Sequence, residues 1–264
     1  MTAGLRWLLA ACVLATGAVQ AQEWREDAEI GQLFRKAGLR GTFVVYDAGR
    51  DRLTGHDRSR ANNRYVPAST FKVPHTLIGL SVAAVADVDE VVPYGGEPQP
   101  FAAWERDMSL REAIAVSNLA VYRTLARRIG LARMRDGVSR LGFGNGEIGT
   151  VVDRFWLDGP LRISAVEQTR FLADLARDAL PFPPALQAAT RDIVLLERRE
   201  DGRELYGKTG WENAPGPGVG WWVGWVRDGA DVYAFALNID MATPADADRR
   251  VSLGRAALAT LDIY

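Results

Sequence analysis

Only three of the 32 basic residues in this 264-residue chain are lysines: Lys36, Lys72 and Lys208. The other 29 are arginines. Arginine keeps its proton in a protein, whereas a buried lysine can become a neutral amine, a base or a nucleophile. A lysine retained in so arginine-rich a chain therefore points to chemistry closed to a guanidinium. Lys72 closes the run Ser69-Thr70-Phe71-Lys72, a spacing that sets hydroxyl and amine one helical turn apart on one face. Pro74 is tolerated only near a helix start, so the helix begins close to Ser69. Unpaired N–H groups and the helix dipole there favour negative charge. Lys208 opens Lys208-Thr209-Gly210 inside a strand pattern, where Gly207 and Gly210 suit close approach by a ligand or another backbone. A Ser-x-x-Lys run arises by chance in about one such chain in ten, and alone it reads as an N-cap beside a solvated lysine. Both motifs together, in this order, point to a serine nucleophile served by lysine bases.

The remaining composition narrows the class. Apolar residues make up 48% and charged residues 25% of the chain, with a formal net charge of −1. That balance offers no basic face for nucleic acid or anionic membrane, so the expected partner is a small molecule. The pairs Arg127-Arg128 and Arg198-Arg199 lie beside acids and read as solvated faces. Residues 1–21 read as a signal peptide: Arg6 supplies the charge, residues 7–18 are apolar and small, and Val19-Gln20-Ala21 offers a cleavage site. This places the mature chain in the periplasm without stable membrane association, as a monomer or homodimer. The single cysteine, Cys12, falls within that segment, leaving the mature chain neither disulfide nor thiol nucleophile. With His56 and His75 the only histidines, neither a structural zinc site nor a supported Ser-His-Asp triad is indicated, and no metal is implied.

These residues need elements to hold them. A short helix over residues 28–37 precedes a hairpin of residues 41–47 and 52–57. Residues 69–199 are mostly helical by periodicity and form a helical subdomain. Within it, Leu110, Ile114, Ser117, Val121, Leu125 and Ile129 recur at three- and four-residue steps, as in one helix. Strand patterns follow at residues 204–212, 219–227 and 232–240, the last two joined tightly at Gly229, then a final helix over residues 245–261. The expected fold is α/β of the α+β type within a single domain of residues 22–264. N- and C-terminal segments build one antiparallel sheet flanked by helices, and the site lies in the cleft beside the helical part.

The pairing of motifs resembles the penicillin-recognising serine enzymes, and specifically the class D β-lactamases (oxacillinases). The resemblance runs through residues 43–47, Pro67-Ala68-Ser69-Thr70-Phe71-Lys72, Ser117-Asn118-Leu119 and Phe143-Gly144-Asn145. It continues through Phe155-Trp156-Leu157-Asp158-Gly159, Leu161-Arg162-Ile163-Ser164, Lys208-Thr209-Gly210-Trp211 and residues 220–225. It implies a β-lactamase/transpeptidase-like fold and hydrolysis of β-lactams through an acyl-enzyme on Ser69, conferring resistance. Lys72 matches the lysine that takes up CO2 as an N-carboxylate, the general base for acylation and deacylation; no other cofactor is implied. The resemblance gives Trp156 the role of indole donor to that carboxylate, although seen alone Trp156 would be a core aromatic. Ser117, with Lys208, passes a proton to the leaving nitrogen, although Ser117 alone reads equally as a buried serine bonding its own helix. Backbone N–H groups of Ser69 and Trp211 form the oxyanion hole, and Phe71, Leu119 and Leu157 line the pocket. Thr209, Gly210, Trp211 and Arg250 bind substrate, Arg250 through its carboxylate. Arg249 is its adjacent rival, and neighbouring side chains point apart, so only one serves.

Two positions depart from the family pattern. Leu119 stands where valine is common, with bulk enough to crowd the modified lysine or the path of a water. Phe143 replaces a tyrosine and loses a hydroxyl, and Asn145 beside it reads as structural. Two alternatives remain on sequence grounds: a penicillin-binding sensor domain that acylates and stalls, and a DD-peptidase, against which Trp156 in its context argues. Substrate range would be set by loops around Trp104, Leu157 and residues 212–218.

Overall fold

The computed structural model describes residues 23–212, 218–243 and 245–264. The signal peptide expected over residues 1–21 lies outside the described residues, as does most of the loop 212–218. The chain opens with β1 (Trp24–Glu26), α1 (Ala28–Ala37), β2 (Gly41–Asp47), β3 (Arg52–His56) and α2 (Arg58–Asn62). Its middle holds α3 (Lys72–Ser81), β4 (Val91–Val92), β5 (Met108–Ser109), α4 (Leu110–Ala115), α5 (Leu119–Ile129), α6 (Leu131–Arg140), α7 (Ala165–Ala176) and α8 (Pro184–Asp192). It closes with β6 (Leu195–Arg198), β7 (Glu204–Trp211), β8 (Gly218–Asp228), β9 (Asp231–Met241) and α9 (Asp246–Thr260).

Seven strands form one sheet in the order β1-β3-β2-β9-β8-β7-β6. N-terminal β2 pairs antiparallel with C-terminal β9, Val44 opposite Ala236, so both ends of the chain build the sheet as expected. Two edges were not legible. β1 adds in parallel beside β3, too short to carry an alternating pattern. β6, from within the stretch read as helical up to residue 199, pairs with β7 and carries a register shift. A four-residue edge strand with charged residues gives periodicity little to work on.

Both faces of the sheet are covered. Trp221, Val223 and Trp225 of β8 face the helical side, and Trp222 and Val226 face α1 and α9, the period-two alternation of a strand. β9 does likewise, Val232, Ala234 and Ala236 to one side and Phe235, Leu237 and Ile239 to the other. α3 runs through the helical side with residues 72–80 all buried, which is why Lys72 is cut off from water. Pro74 at its third position removes only an N–H that the first turn would leave unpaired.

Candidate active site

Ser69 sits in a 3-10 turn, Ala68–Phe71, that runs directly into α3. Ala68 holds φ +49°, a backbone region that non-glycine residues occupy only when their surroundings enforce it. Here they do. Thr70 Oγ1 donates to Pro67 O and accepts from Gln168 Nε2, both at 2.8 Å. Trp221 Nε1 donates to Val66 O at 2.9 Å. The half-buried Ser69 hydroxyl then lies 2.8 Å from Lys72 Nζ, within hydrogen-bond reach.

Lys72 has no exposed surface. Burial, then the charges of Lys208 and Arg123, push its amine well below the usual lysine value, which favours the neutral, basic form. Around it stand Phe71, His75, Tyr122 and Trp156. The Tyr122 ring lies 5.3 Å from Nζ, and its hydroxyl bonds Thr76 Oγ1 at 2.8 Å. Trp156 stacks on Phe71 at 5.9 Å and meets His75 edge-on at 5.2 Å. Among the described residues, the buried Nε1 of Trp156 and both ring nitrogens of His75 have no hydrogen-bond partner. The orphaned indole N–H and an amine pressed toward its neutral form share one buried aromatic cluster, a set suited to an anionic group on Nζ, since a buried donor needs an acceptor.

The loop before α7 sets Trp156. Gly144 has φ +58°, and a Cβ there would meet Arg162 O at 2.1 Å, so only glycine fits. Asn145 beside it accepts from Arg162 N at 3.0 Å and donates to Pro160 O at 2.9 Å. These bonds close the loop around Trp156 and Leu157, and Asn145 is structural as read. Phe143 packs edge-on against Phe71 and Phe171, an apolar setting in which a phenol hydroxyl would need a partner.

The second lysine comes from β7. Lys208 is buried, and Nζ donates at 3.0 Å both to Ser117 Oγ and to Thr209 O. Burial, and then the charge of Arg250, bring it down to about 7. Ser117 is not part of a continuous helix, as its periodicity had predicted. α4 stops at Ala115, Ser117 takes φ +58°, and α5 restarts after Asn118. A left-handed residue breaks the helical ladder and turns the hydroxyl to Lys208; the spacing of its apolar neighbours carries no trace of that turn. Asn118 caps α5 through Val121 N at 3.2 Å and donates to Trp104 O at 3.1 Å. Trp104 Nε1 in turn holds Val116 O at 2.9 Å.

β7 passes close to the Ser69 turn. A Cβ on Gly210 would stand 3.0 Å from Pro67 O and 3.3 Å from Thr70 N. Glu212 N–H bonds Val219 O on β8, whereas Gly207 N–H bonds Val194 O on the other side. Strand alternation therefore aims the N–H of Trp211 away from β8. Of the two adjacent arginines, buried Arg250 donates to Gly210 O, the carbonyl on the opposite side of the strand from that N–H. Arg249 turns the other way, to Asp246 and Ala37 O. Thr209 is half-buried beside Lys208, and Leu119 and Leu157, both half-buried, pack against the core that surrounds Lys72. Sequence reasoning missed His75, Tyr122 and Arg123 around Lys72. Only Thr76, four residues along α3, signalled that a polar partner was required there.

Comparison with known proteins identifies the family. The penicillin-binding protein transpeptidase domain matches residues 15–259. β-Lactamase OXA-5 of Pseudomonas aeruginosa is 36% identical over 230 residues, covering 86% of either chain. β-Lactamase OXA-48 of Klebsiella pneumoniae is 37% identical over 235 residues, 89% of this chain and 88% of that one. The crystal structure of FUS-1 (OXA-85), a class D β-lactamase from Fusobacterium nucleatum subsp. polymorphum, superposes with a TM-score of 0.87 at 39% identity. The match covers 90% of this chain and 99% of that one. With the two lysine motifs meeting in one cleft, the chain belongs to the class D β-lactamases, hydrolases of β-lactams.

Proposed function

We propose that this enzyme opens the lactam ring through an acyl-enzyme on Ser69, with Lys72 carboxylated on Nζ as its general base. The observation that carries the reading is a fully buried amine 2.8 Å from Ser69 Oγ, its charge disfavoured by burial, in an aromatic cluster that holds an indole N–H without an acceptor. The CO2-derived carboxylate, when present, supplies a basic oxygen where a bare amine offers one lone pair. Ser69 Oγ gives up its proton as it attacks the lactam carbonyl, and the N–H groups of Ser69 and Trp211 hold the developing oxyanion. One such donor is typically worth about 10²–10³ in rate. Ser117 passes a proton to the departing nitrogen, resupplied by Lys208, whose value of about 7 suits that exchange at neutral pH. Arg250, anchored on Gly210 O, and Thr209 receive the substrate carboxylate. Trp156 donates to the modified lysine and, with Phe71 and Leu157, keeps water away from it.

In the same reading residues 1–21 export the chain to the periplasm, where hydrolysis protects the cell wall machinery and confers resistance. Hydrolysis of a chromogenic β-lactam by the mature chain tests the proposal, with and without bicarbonate and beside Ser69→Ala. Turnover that rises with bicarbonate and vanishes in the variant is expected. Stoichiometric acylation that stalls even in bicarbonate would leave a sensor and overturn the hydrolytic mechanism.

A further inference from the structure

α7 grips the catalytic segment at two points, one ahead of the Ser69 turn and one within it. Its own footing is firm: it packs on β2, β8 and β9, and Ser164 and Glu167 close a capping box at its start. Ahead of the turn, Arg64 Nε donates to both oxygens of Glu167 at 3.0 Å. Within it, Gln168 Nε2 donates to Thr70 Oγ1 at 2.8 Å, and both side chains are buried. A buried glutamine is uncommon in a core. Thr70 Oγ1 in turn lies 2.8 Å from Pro67 O, which also receives the Thr70 N–H at 3.2 Å. Pro67 O can accept but not donate, so the one hydroxyl proton of Thr70 goes to it and Gln168 supplies the other N–H.

We propose that Gln168 is a positioning residue: through Thr70 it locks the turn at Ala68 and so sets the attack geometry of Ser69. The proposal rests on the reading of Ser69 as the acylated nucleophile. Ala68, with φ +49°, holds a conformation that relaxes unless its neighbours prevent it. Ser69 is the next residue. Its hydroxyl must stay at 2.8 Å from Lys72 Nζ while its N–H faces the lactam oxygen, and a small rotation at Ala68 spoils both. Other contacts do not duplicate the bond. Trp221 and Arg64 act before the turn, at Val66 O and at Glu167. β7 meets the turn at Gly210, where no side chain reaches across, so it limits the turn from one side and leaves α7 to hold the other.

The test reads acylation of the mature chain by stopped flow with a chromogenic β-lactam, and the adduct on Ser69 by intact mass and a peptide map. Gln168→Met, of similar length but without an N–H, is expected to lower the acylation rate constant about 10–10²-fold, the scale on which misplacement of up to an ångström acts. Thr70→Val keeps the shape, removes the hydroxyl and should cost as much. The double variant should lose no more than either single one, because the two residues act as a unit. Thr70→Ser, which keeps the hydroxyl, should stay within about threefold of the parent on the same basis. Gln168→Ala repeats the test if the methionine variant does not fold. A melting temperature that falls while acylation per folded molecule holds, or losses that multiply in the double variant, overturns the proposal and leaves the acyl-enzyme reading standing. A parent that forms no adduct on Ser69 overturns both.

Discussion

His75 stands one turn along α3 from Lys72, enclosed by Phe71, Tyr122 and Trp156 with neither ring nitrogen paired. Burial first, and the Lys72 charge second, lower it from 6.5 to about 3. The unfolded chain therefore takes up a proton that the native state refuses. Stability from a neutral His75 is complete above about pH 6.5 and is lost as pH falls from there through about 3. Denaturant unfolding at pH 7 and pH 5 should show the parent losing about 2 kcal/mol more than His75→Asn. Equal losses in the two proteins would place the proton elsewhere. Trp156 makes the complementary case: on the proposed mechanism its N–H gains a partner only when Lys72 carries an anion. Trp156→Phe should lower turnover roughly 10²-fold at ambient CO2 through loss of one buried donor to the base. Excess bicarbonate should restore part of that loss by mass action.

Position of these side chains is settled by short elements, and one contact that bears on the site is that of β7 with the turn Ala68–Phe71. Two of the three atoms facing Gly210 are backbone, and the third is the methyl of Thr70, whose hydroxyl is held by Pro67 O and Gln168, so none swings aside freely for a methyl group. Gly210→Ala should push the strand off the turn by a few tenths of an ångström, which separates the Trp211 N–H from Ser69. Acylation measured by stopped flow is expected to fall roughly tenfold, since sub-ångström misplacement of catalytic groups is amplified in rate. Far-UV circular dichroism should remain unchanged. Element by element, the sequence was readable where a pattern repeats. The helix Ala28–Ala37, the hairpin β2–β3 and the long strands β7 to β9 stand within a residue or two of their expected bounds. It was unreadable where one residue decides. The left-handed turn at Ser117 hides inside a perfect apolar stripe, and the two-residue strands β4 and β5 are too brief to alternate. Likewise Ser69 and Lys72 could be paired from spacing, whereas Tyr122 could not, since its ring meets Lys72 only once α5 packs beside α3.

At the scale of the molecule, a sheet covered on both faces isolates its central helix so well that two of the three lysines are out of reach. Lys72 has no exposed surface and Lys208 only 7%, while Lys36 on α1 is open to solvent. The anchoring of α9 extends this to the site's rim: Gly254 lies against Trp222 so closely that a Cβ would meet the ring at 2.2 Å. Gly254→Ala should therefore lower the melting temperature by several degrees, as overpacking of about 1–3 kcal/mol does in a domain of this size, and should weaken carboxylate binding through Arg250 on the same helix. Scarcity of accessible amines also makes the folded enzyme a selective target for coupling reagents. An N-hydroxysuccinimide ester at neutral pH should attach at Lys36 and at the terminal amine and nowhere else, readable from intact mass and a peptide map. An enzyme tethered through Lys36 would then stand on a sensor surface in one orientation, its cleft facing the liquid.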